Sequence, residues 1–233
     1  MLTIRRSEDR GRAEHGWLHS NFSFSFADYF DPKHMGFRAL RVINDDIIDG
    51  GGGFGMHPHA NMEIMSYVTA GALSHEDSMG NKGTIKPGQI QYMSAGKGVR
   101  HSEFNGSATE PAHLLQIWIV PDEKGTTPAY ADKDVSAELA TGGLTLLASR
   151  DGRDGSFATH ADANVFAAKP KAGAAPFVYT PADGRALWIH VVKGPLDVNG
   201  TSLADGDGLA VEDEKQVTIA AKDGGEFLMF DLA

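Results

Sequence analysis

The chain has no cysteine, which excludes a disulfide framework, thiolate metal ligands and a thiol nucleophile. Blue-copper, iron–sulfur and zinc-finger sites all need sulfur donors and are excluded with it. Basic residues are scarce: 21 Lys and Arg against 31 Asp and Glu leave a net charge of −10. That charge opposes attraction to polyphosphate and sets nucleic acid aside as a partner. No apolar run approaches the ~18 residues that would span a bilayer. The longest, Leu114 to Val120, is interrupted by Gln116, so no membrane partner is expected. Arg5, Arg6, Glu8, Asp9 and Arg10 precede any apolar stretch, which does not read as a signal peptide; a cytoplasmic location is expected. Nor does any long stretch hold a helical period. The best short helix candidate is Asp134 to Ala140, with Asp134 placed to cap it.

Glycine, by contrast, is abundant, with 28 in 233 residues, and it falls in turn-like clusters between short apolar runs. Strand-length segments run over Phe22–Phe26, Leu40–Ile43, Ile64–Val68, Gln89–Met93 and Leu114–Val120. They resume at Leu144–Ala148, Asn164–Ala168, Phe177–Tyr179, Leu187–Val192, Leu209–Val211, Val217–Ala221 and Phe227–Leu232. Short strands at this spacing predict an all-β protein, an antiparallel sandwich or barrel. The length allows one large domain or two compact ones. A charged, proline-containing stretch after Pro121 reads as a linker, which gives units at 1–122 and 140–233 joined by 123–139. Thr84–Gln89 and Thr201–Asp207 share a phrase, as expected of a diverged duplication. Asn44-Asp45-Asp46 and Asp77-Ser78 read as turn residues by side-chain preference.

Ten histidines are present, and the informative ones are paired. His57-Pro58-His59 places two imidazoles on one side of a strand, ~6.6 Å apart at ~3.3 Å per residue. Forty-two residues after His59, His101-Ser102-Glu103 repeats the i, i+2 spacing with an imidazole and a carboxylate. Two such ladders on neighbouring strands would bring three nitrogens and one oxygen to one point. The glycine run at 50–53 and the turn at Gly96-Lys97-Gly98 give the backbone room to approach. Such donors suit Fe, Mn, Co, Ni, Cu or Zn. Strand parity also places Glu63, four residues past His59, on the same face if the strand is regular, so spacing leaves Glu63 and Glu103 both open as the carboxylate. Phe54, Met56, Met65, Tyr67, Met93 and Phe104 lie beside these residues in sequence and are candidates for an apolar pocket or for plain core.

Gly51-x5-His57-x-His59-x3-Glu63 with Gly71 resembles the first cupin motif, and Pro87-Gly88 with His101 resembles the second. More narrowly, the chain resembles the pirins. The resemblance is carried by Phe24–Phe37, Leu40–Asp46, His57–Glu63, His75-Glu76-Asp77-Ser78, Gln91–Gly98, His101-Ser102-Glu103 and Gln116-Ile117-Trp118, with Phe230-Asp231-Leu232 near the end. It implies a bicupin, two antiparallel β-barrels of jelly-roll type packed face to face. One mononuclear divalent metal sits in the N-terminal barrel, iron being the first expectation and Zn, Ni, Mn, Co or Cu the alternatives. Its ligands are implied to be His57, His59, His101 and Glu103. Glu63 then takes a place beside the pocket. The second barrel, in which the corresponding strand is expected to offer only His190, is implied to be metal-free.

Bacterial pirins of this length resemble quercetin 2,3-dioxygenases, which open the central ring of a flavonol with O2 and release carbon monoxide. The implied partners are a small aromatic substrate such as a flavonol, and O2, acted on by a monomer. Glu103 is placed to be both ligand and catalytic base. The resemblance to eukaryotic pirins carries a different expectation, a redox-sensing regulator that acts through a protein partner with little or no turnover. Flavonol consumption with carbon monoxide release separates the two. A sugar-binding or isomerase cupin would need a polar pocket, against which the apolar neighbours weigh.

Overall fold

The computed structural model describes residues 1–233. Its twenty-two strands follow the apolar runs closely. The first twelve are β1 (Leu2–Arg5), β2 (Gly11–Glu14), β3 (Leu18–Phe22), β4 (Leu40–Ile48), β5 (Gly53–His59), β6 (Glu63–Ala70), β7 (Leu73–Asp77), β8 (Lys82–Ile85), β9 (Gln89–Ser94), β10 (Val99–Asn105), β11 (Ala112–Ile119) and β12 (Ala129–Asp134). The rest are β13 (Thr145–Ser149), β14 (Phe157–Ala158), β15 (Ala163–Ala168), β16 (Phe177–Tyr179), β17 (Ala186–Lys193), β18 (Leu196–Val198), β19 (Thr201–Leu203), β20 (Gly208–Val211), β21 (Val217–Ala220) and β22 (Glu226–Leu232). The one α-helix, α1 (Ser136–Ala140), buries Leu139, and Asp134 Oδ1 accepts the Ser136 N–H at 2.9 Å just ahead of it. No helix is long and apolar enough to cross a membrane.

The chain forms two compact units, and their limits differ from the composition boundaries. The N-terminal unit is residues 11–136 with 159–161; the C-terminal unit is residues 1–10, 137–158 and 162–233. Residues 1–10 belong to the second unit because β1 pairs antiparallel with β20, Ile4 opposite Leu209. Much of the expected linker is ordered structure, since β12 adds to β9 as the edge of the first unit's larger sheet. A polar composition marked this stretch as a linker, but an edge strand exposes one side and tolerates polar residues.

Each unit pairs one seven-stranded sheet with one four-stranded sheet. In the N-terminal unit these run β12-β9-β6-β11-β4-β3-β2 and β5-β10-β7-β8. In the C-terminal unit they run β1-β20-β17-β22-β15-β13-β14 and β16-β21-β18-β19. Antiparallel pairing dominates; β13 with β14 is parallel. The C-terminal unit carries a continuous apolar core that includes Leu187, Ile189, Val217, Ile219, Phe227 and Met229. In the N-terminal unit, buried apolar residues cluster around Leu18, Ile48, Val68 and Leu114 and around Ile64, Met93 and Val99.

Two local expectations are corrected. The alternating Phe22–Phe26 segment leaves the ladder after Phe22. Its backbone groups go to loop partners instead, Ser25 N–H to His34 O and Phe26 N–H to Tyr29 O, and Ala27 turns the chain with φ +48°. Asn44-Asp45-Asp46 is no turn; it lies within the nine-residue strand β4. Asn44 and Asp46 are buried, and Asp45 meets His113 across the sheet at 2.5 Å.

Candidate metal centre

Strand β5 carries His57 and His59, and its neighbour β10 carries His101 and Glu103, with His57 directly opposite His101. The approach of these strands depends on Gly53, where a Cβ would meet Phe104 Cδ1 at 2.4 Å and Glu103 O at 2.6 Å. The three imidazoles gather closely: ring centroids lie 4.8 Å apart for His57 and His59, 4.4 Å for His57 and His101, and 4.9 Å for His59 and His101. One nitrogen from each can be chosen so that all three lie within 4.8 Å of one another. Glu103 joins a second set of the same tightness with His101 and the buried His75.

Hydrogen bonds decide which nitrogen is free. His57 Nδ1 donates to Gly55 O at 2.8 Å, leaving Nε2 as its lone-pair nitrogen. His101 Nδ1 faces His75 Nδ1 at 3.4 Å, and its Nε2 is buried without a hydrogen-bond partner. His75 Nε2 lies 3.3 Å from Asp77 Oδ2, and Gln91 Nε2 donates to His75 Nδ1 at 3.3 Å. One assignment satisfies all of these. His75 donates through Nε2 to Asp77, and its single Nδ1 lone pair is shared by the Gln91 and His101 donors, which leaves His101 Nε2 as a bare lone pair. An outer carboxylate–imidazole pair of this kind orients a ligand ring and raises its basicity. His75 is fixed by stacking on Tyr130, centroids 4.5 Å apart and planes 17° apart. Asp77 in turn accepts from Asn81 and from the Met79 N–H, which outweigh its burial and hold its pKa below the usual carboxylate value.

The electrostatics keep His59 and His101 neutral. Burial, reinforced by His57, lowers His59 to about 4. Burial, then His57, His59 and His75, lowers His101 to about 2. Burial raises the pKa of Glu103 against the opposing pull of His75, Ser66, His57 and Gln116. Ser66 Oγ donates to Glu103 Oε1 at 3.0 Å, Gln91 Nε2 to the same oxygen at 3.2 Å, and Gln116 Nε2 to Oε2 at 2.6 Å. Two carboxylate oxygens offer about four lone-pair sites, so acceptor capacity remains. The neutral His59 and His101, His57 beside them and a buried carboxylate form a donor set that fits a single divalent metal.

These groups line one side of a cavity of about 290 Å3. Its walls are largely aromatic, with Trp17, Phe22, Phe26, Phe54 and Trp118. Of the six apolar residues flanking the donors in sequence, the cavity takes Phe54. Met65, Tyr67 and Met93 are core, and Met56 and Phe104 are exposed. Glu63 is not beside the donors. Asn61 turns the chain at φ +51°, so β5 ends at His59 and Glu63 opens a different strand, which removes the parity argument. Its buried carboxylate accepts instead from Tyr92 Oη, Ser94 Oγ and the His160 N–H. Ser20, Asn44, Asp46 and Gln116, which also line the cavity, were not singled out by sequence. The available signal was polar residues interrupting the apolar strands β4 and β11. In the C-terminal unit, the strand that takes the place of β5 in the sheet order is β16, not the His190 strand β17. There Tyr179 faces Val217 and Phe177 faces Ile219, all packed on the apolar core.

The Pirin family model matches residues 4–119, and a model described as the quercetinase C-terminal cupin domain matches residues 146–232. A quercetin 2,3-dioxygenase of Escherichia coli K12 is 48% identical over 235 residues, covering 100% of this chain and 99% of the relative. The chain belongs to the pirin family. Among solved structures, YhhW from Escherichia coli superposes with TM-score 0.96 at 48% identity, covering 100% of this chain and 98% of that one. The bacterial pirin YhhW in complex with nickel(II) gives TM-score 0.95 at 47% identity over 100% and 99% of the two chains. The bicupin fold is thus shared with these pirins.

Proposed function

We propose that this pirin is a quercetin 2,3-dioxygenase-like oxidoreductase that holds one divalent metal through His57, His59, His101 and Glu103. Its substrates are a flavonol and O2, and its products are the ring-opened ester and carbon monoxide. The observation that carries this reading is three imidazoles whose nitrogens lie within 4.8 Å of one another, with the buried Glu103 beside His101 on the wall of the same cavity. It is supported by relatives named for that reaction. A bound divalent ion supplies Lewis acidity toward the substrate's 3-hydroxyl.

The chain's own residues do the remaining work. Trp17, Phe22, Phe26, Phe54 and Trp118 take the flat ring system and keep water from the reacting edge. Trp118 also packs edge-to-face with His59, centroids 4.8 Å apart, which helps to fix that ring. Glu103 would accept the proton of the 3-hydroxyl at Oε2 on giving up its hold on the ion, since its three hydrogen bonds leave one lone pair for the two roles in turn. Burial raises its proton affinity, and Gln116 and Ser66 hold its oxygens in place. Iron, expected first from the resemblance, and nickel, present in the relative's structure, are the first metals to compare. The test is loss of flavonol absorbance in air with one carbon monoxide released per flavonol, in wild type and in His101→Ala. Stoichiometric release that vanishes in the variant supports the reading, and no turnover with any divalent metal overturns it. The regulatory alternative has no comparable observation in its favour.

A further inference from the structure

We infer that Asn44 and Asp46 form a second polar pole of the cavity, which hydrogen-bonds a phenolic hydroxyl of the substrate other than the one that meets the metal. The inference rests on the flavonol reading above and adds what distinguishes one flavonol from another. Asn44 and Asp46 stand two apart on β4, so both side chains face the same way, into the cavity they line. Asn44 is 5% exposed, and its Oδ1 is buried with no hydrogen-bond partner. Gln116, directly across the sheet from Asn44, does not answer it; its amide is engaged with Glu103 and Ser66. Asp46 is 2% exposed and accepts from Ser20 Oγ through Oδ1, leaving Oδ2 for another partner.

Buried polar groups are ordinarily paired, and an acceptor left bare needs a reason. Here the bare acceptor and the half-used carboxyl lie side by side in a cavity whose other walls are aromatic. A ligand that fills the cavity with a ring and carries a hydroxyl at this edge donates to Asn44 Oδ1 and meets Asp46. Burial, only partly offset by Ser20, holds Asp46 at about 7, so at neutral pH its carboxyl can take either role in that contact. Sites built to bond a substrate hydroxyl discriminate strongly against the analogue that lacks it, because the site's own groups are then left unpaired.

The experiment uses the metal-loaded full chain without O2, with binding read by quenching of the fluorescence of Trp17 and Trp118. The probes are quercetin and 3-hydroxyflavone, which shares the metal-directed pair but carries no other hydroxyl. In wild type, quercetin is expected to bind at least about tenfold tighter, the value of one hydrogen bond. In Asn44→Leu and Asp46→Leu the ratio should fall to within about twofold, with 3-hydroxyflavone affinity retained. A ratio unchanged in both variants overturns the inference and assigns the acceptor to bound water. If neither variant folds, wild type is titrated with flavonols that each carry one further hydroxyl, and no position giving a gain overturns it equally. Carbon monoxide release is read separately in air: a ratio that behaves as expected without release leaves the recognition pole standing and refutes the dioxygenase reading alone.

Discussion

The two units thread the inner strands of a seven-stranded sheet and all of a four-stranded one in the same order, and they differ at the edges of the larger sheet, where β12 and β2 are matched by β1 and β14. They differ in what two adjacent strands of the smaller sheet carry. In the N-terminal unit, β5 and β10 bring His57, His59, His101 and Glu103 to the cavity. In the C-terminal unit, β16 and β21 bring Phe177, Tyr179, Val217 and Ile219 to a continuous core. The comparison teaches that the architecture supplies the scaffold and leaves the chemistry to a few side chains. It also shows the cost of the site. The N-terminal unit opens a cavity beside these strands and buries Asp46 and Glu103, while the matching strands of its counterpart pack on hydrocarbon.

The largest expected effect comes from erasing the difference on the equipped side. His101→Ala removes the buried nitrogen that no other group in the protein bonds, the proposed ligand, and should lower metal affinity and turnover by more than about 100-fold, beyond what loss of an outer partner costs. Metal content after dialysis and the carbon monoxide assay read this. Next is the pair behind that ring. His75→Ala should weaken metal binding by about 10–100-fold with the fold intact, and His75→Gln, which keeps an acceptor for His101 Nδ1, should recover part of it. Competition with a chromophoric chelator measures both, and equal affinities in all three proteins would remove the pair from the site.

The comparison can also be broken from the other side. Val217 is fully buried and stands in the strand that matches β10. Val217→His should destabilise the protein by about 3 kcal/mol, from overpacking plus an unpaired buried imidazole, without raising the metal content. Denaturant melts and metal analysis test that together. A smaller effect is expected at Asp46. Its folded pKa is raised to about 7 from 3.8, so the folded state binds more protons than the unfolded one between those values. Stability from this group is therefore present at low pH and lost as pH rises through that window. Asp46→Asn should be more stable than wild type at pH 7, with the gap closing toward pH 4. A gap independent of pH would contradict the assignment.

The gathering of the proposed ligands was legible because their spacing is local: His57 and His59 share one strand, His101 and Glu103 share the next, and i, i+2 parity holds along each. Parity failed at Glu63 because the turn at Asn61 separates it from His59, and a one-letter pattern does not show a positive φ. The opposite wall was not legible. Trp17, Ser20, Asn44, Asp46 and Gln116 come from β3, β4, β11 and the loop before β3, and only the sheet's non-local pairing brings them to one cavity. For the same reason β1 read as part of the first unit, although its partner β20 lies some 200 residues away. Asn and Asp in a row suggested a turn, and the strand wins because β3 and β11 pair with β4 on both sides.

The most direct test of the contrast between the units is metal stoichiometry on the full chain, by elemental analysis after loading and exhaustive dialysis, in wild type, His101→Ala and Tyr179→Phe. The account predicts one ion per chain in wild type, essentially none in His101→Ala, and one in Tyr179→Phe, where the C-terminal unit loses only a hydroxyl. Two ions per wild-type chain, or one retained without His101, would contradict it.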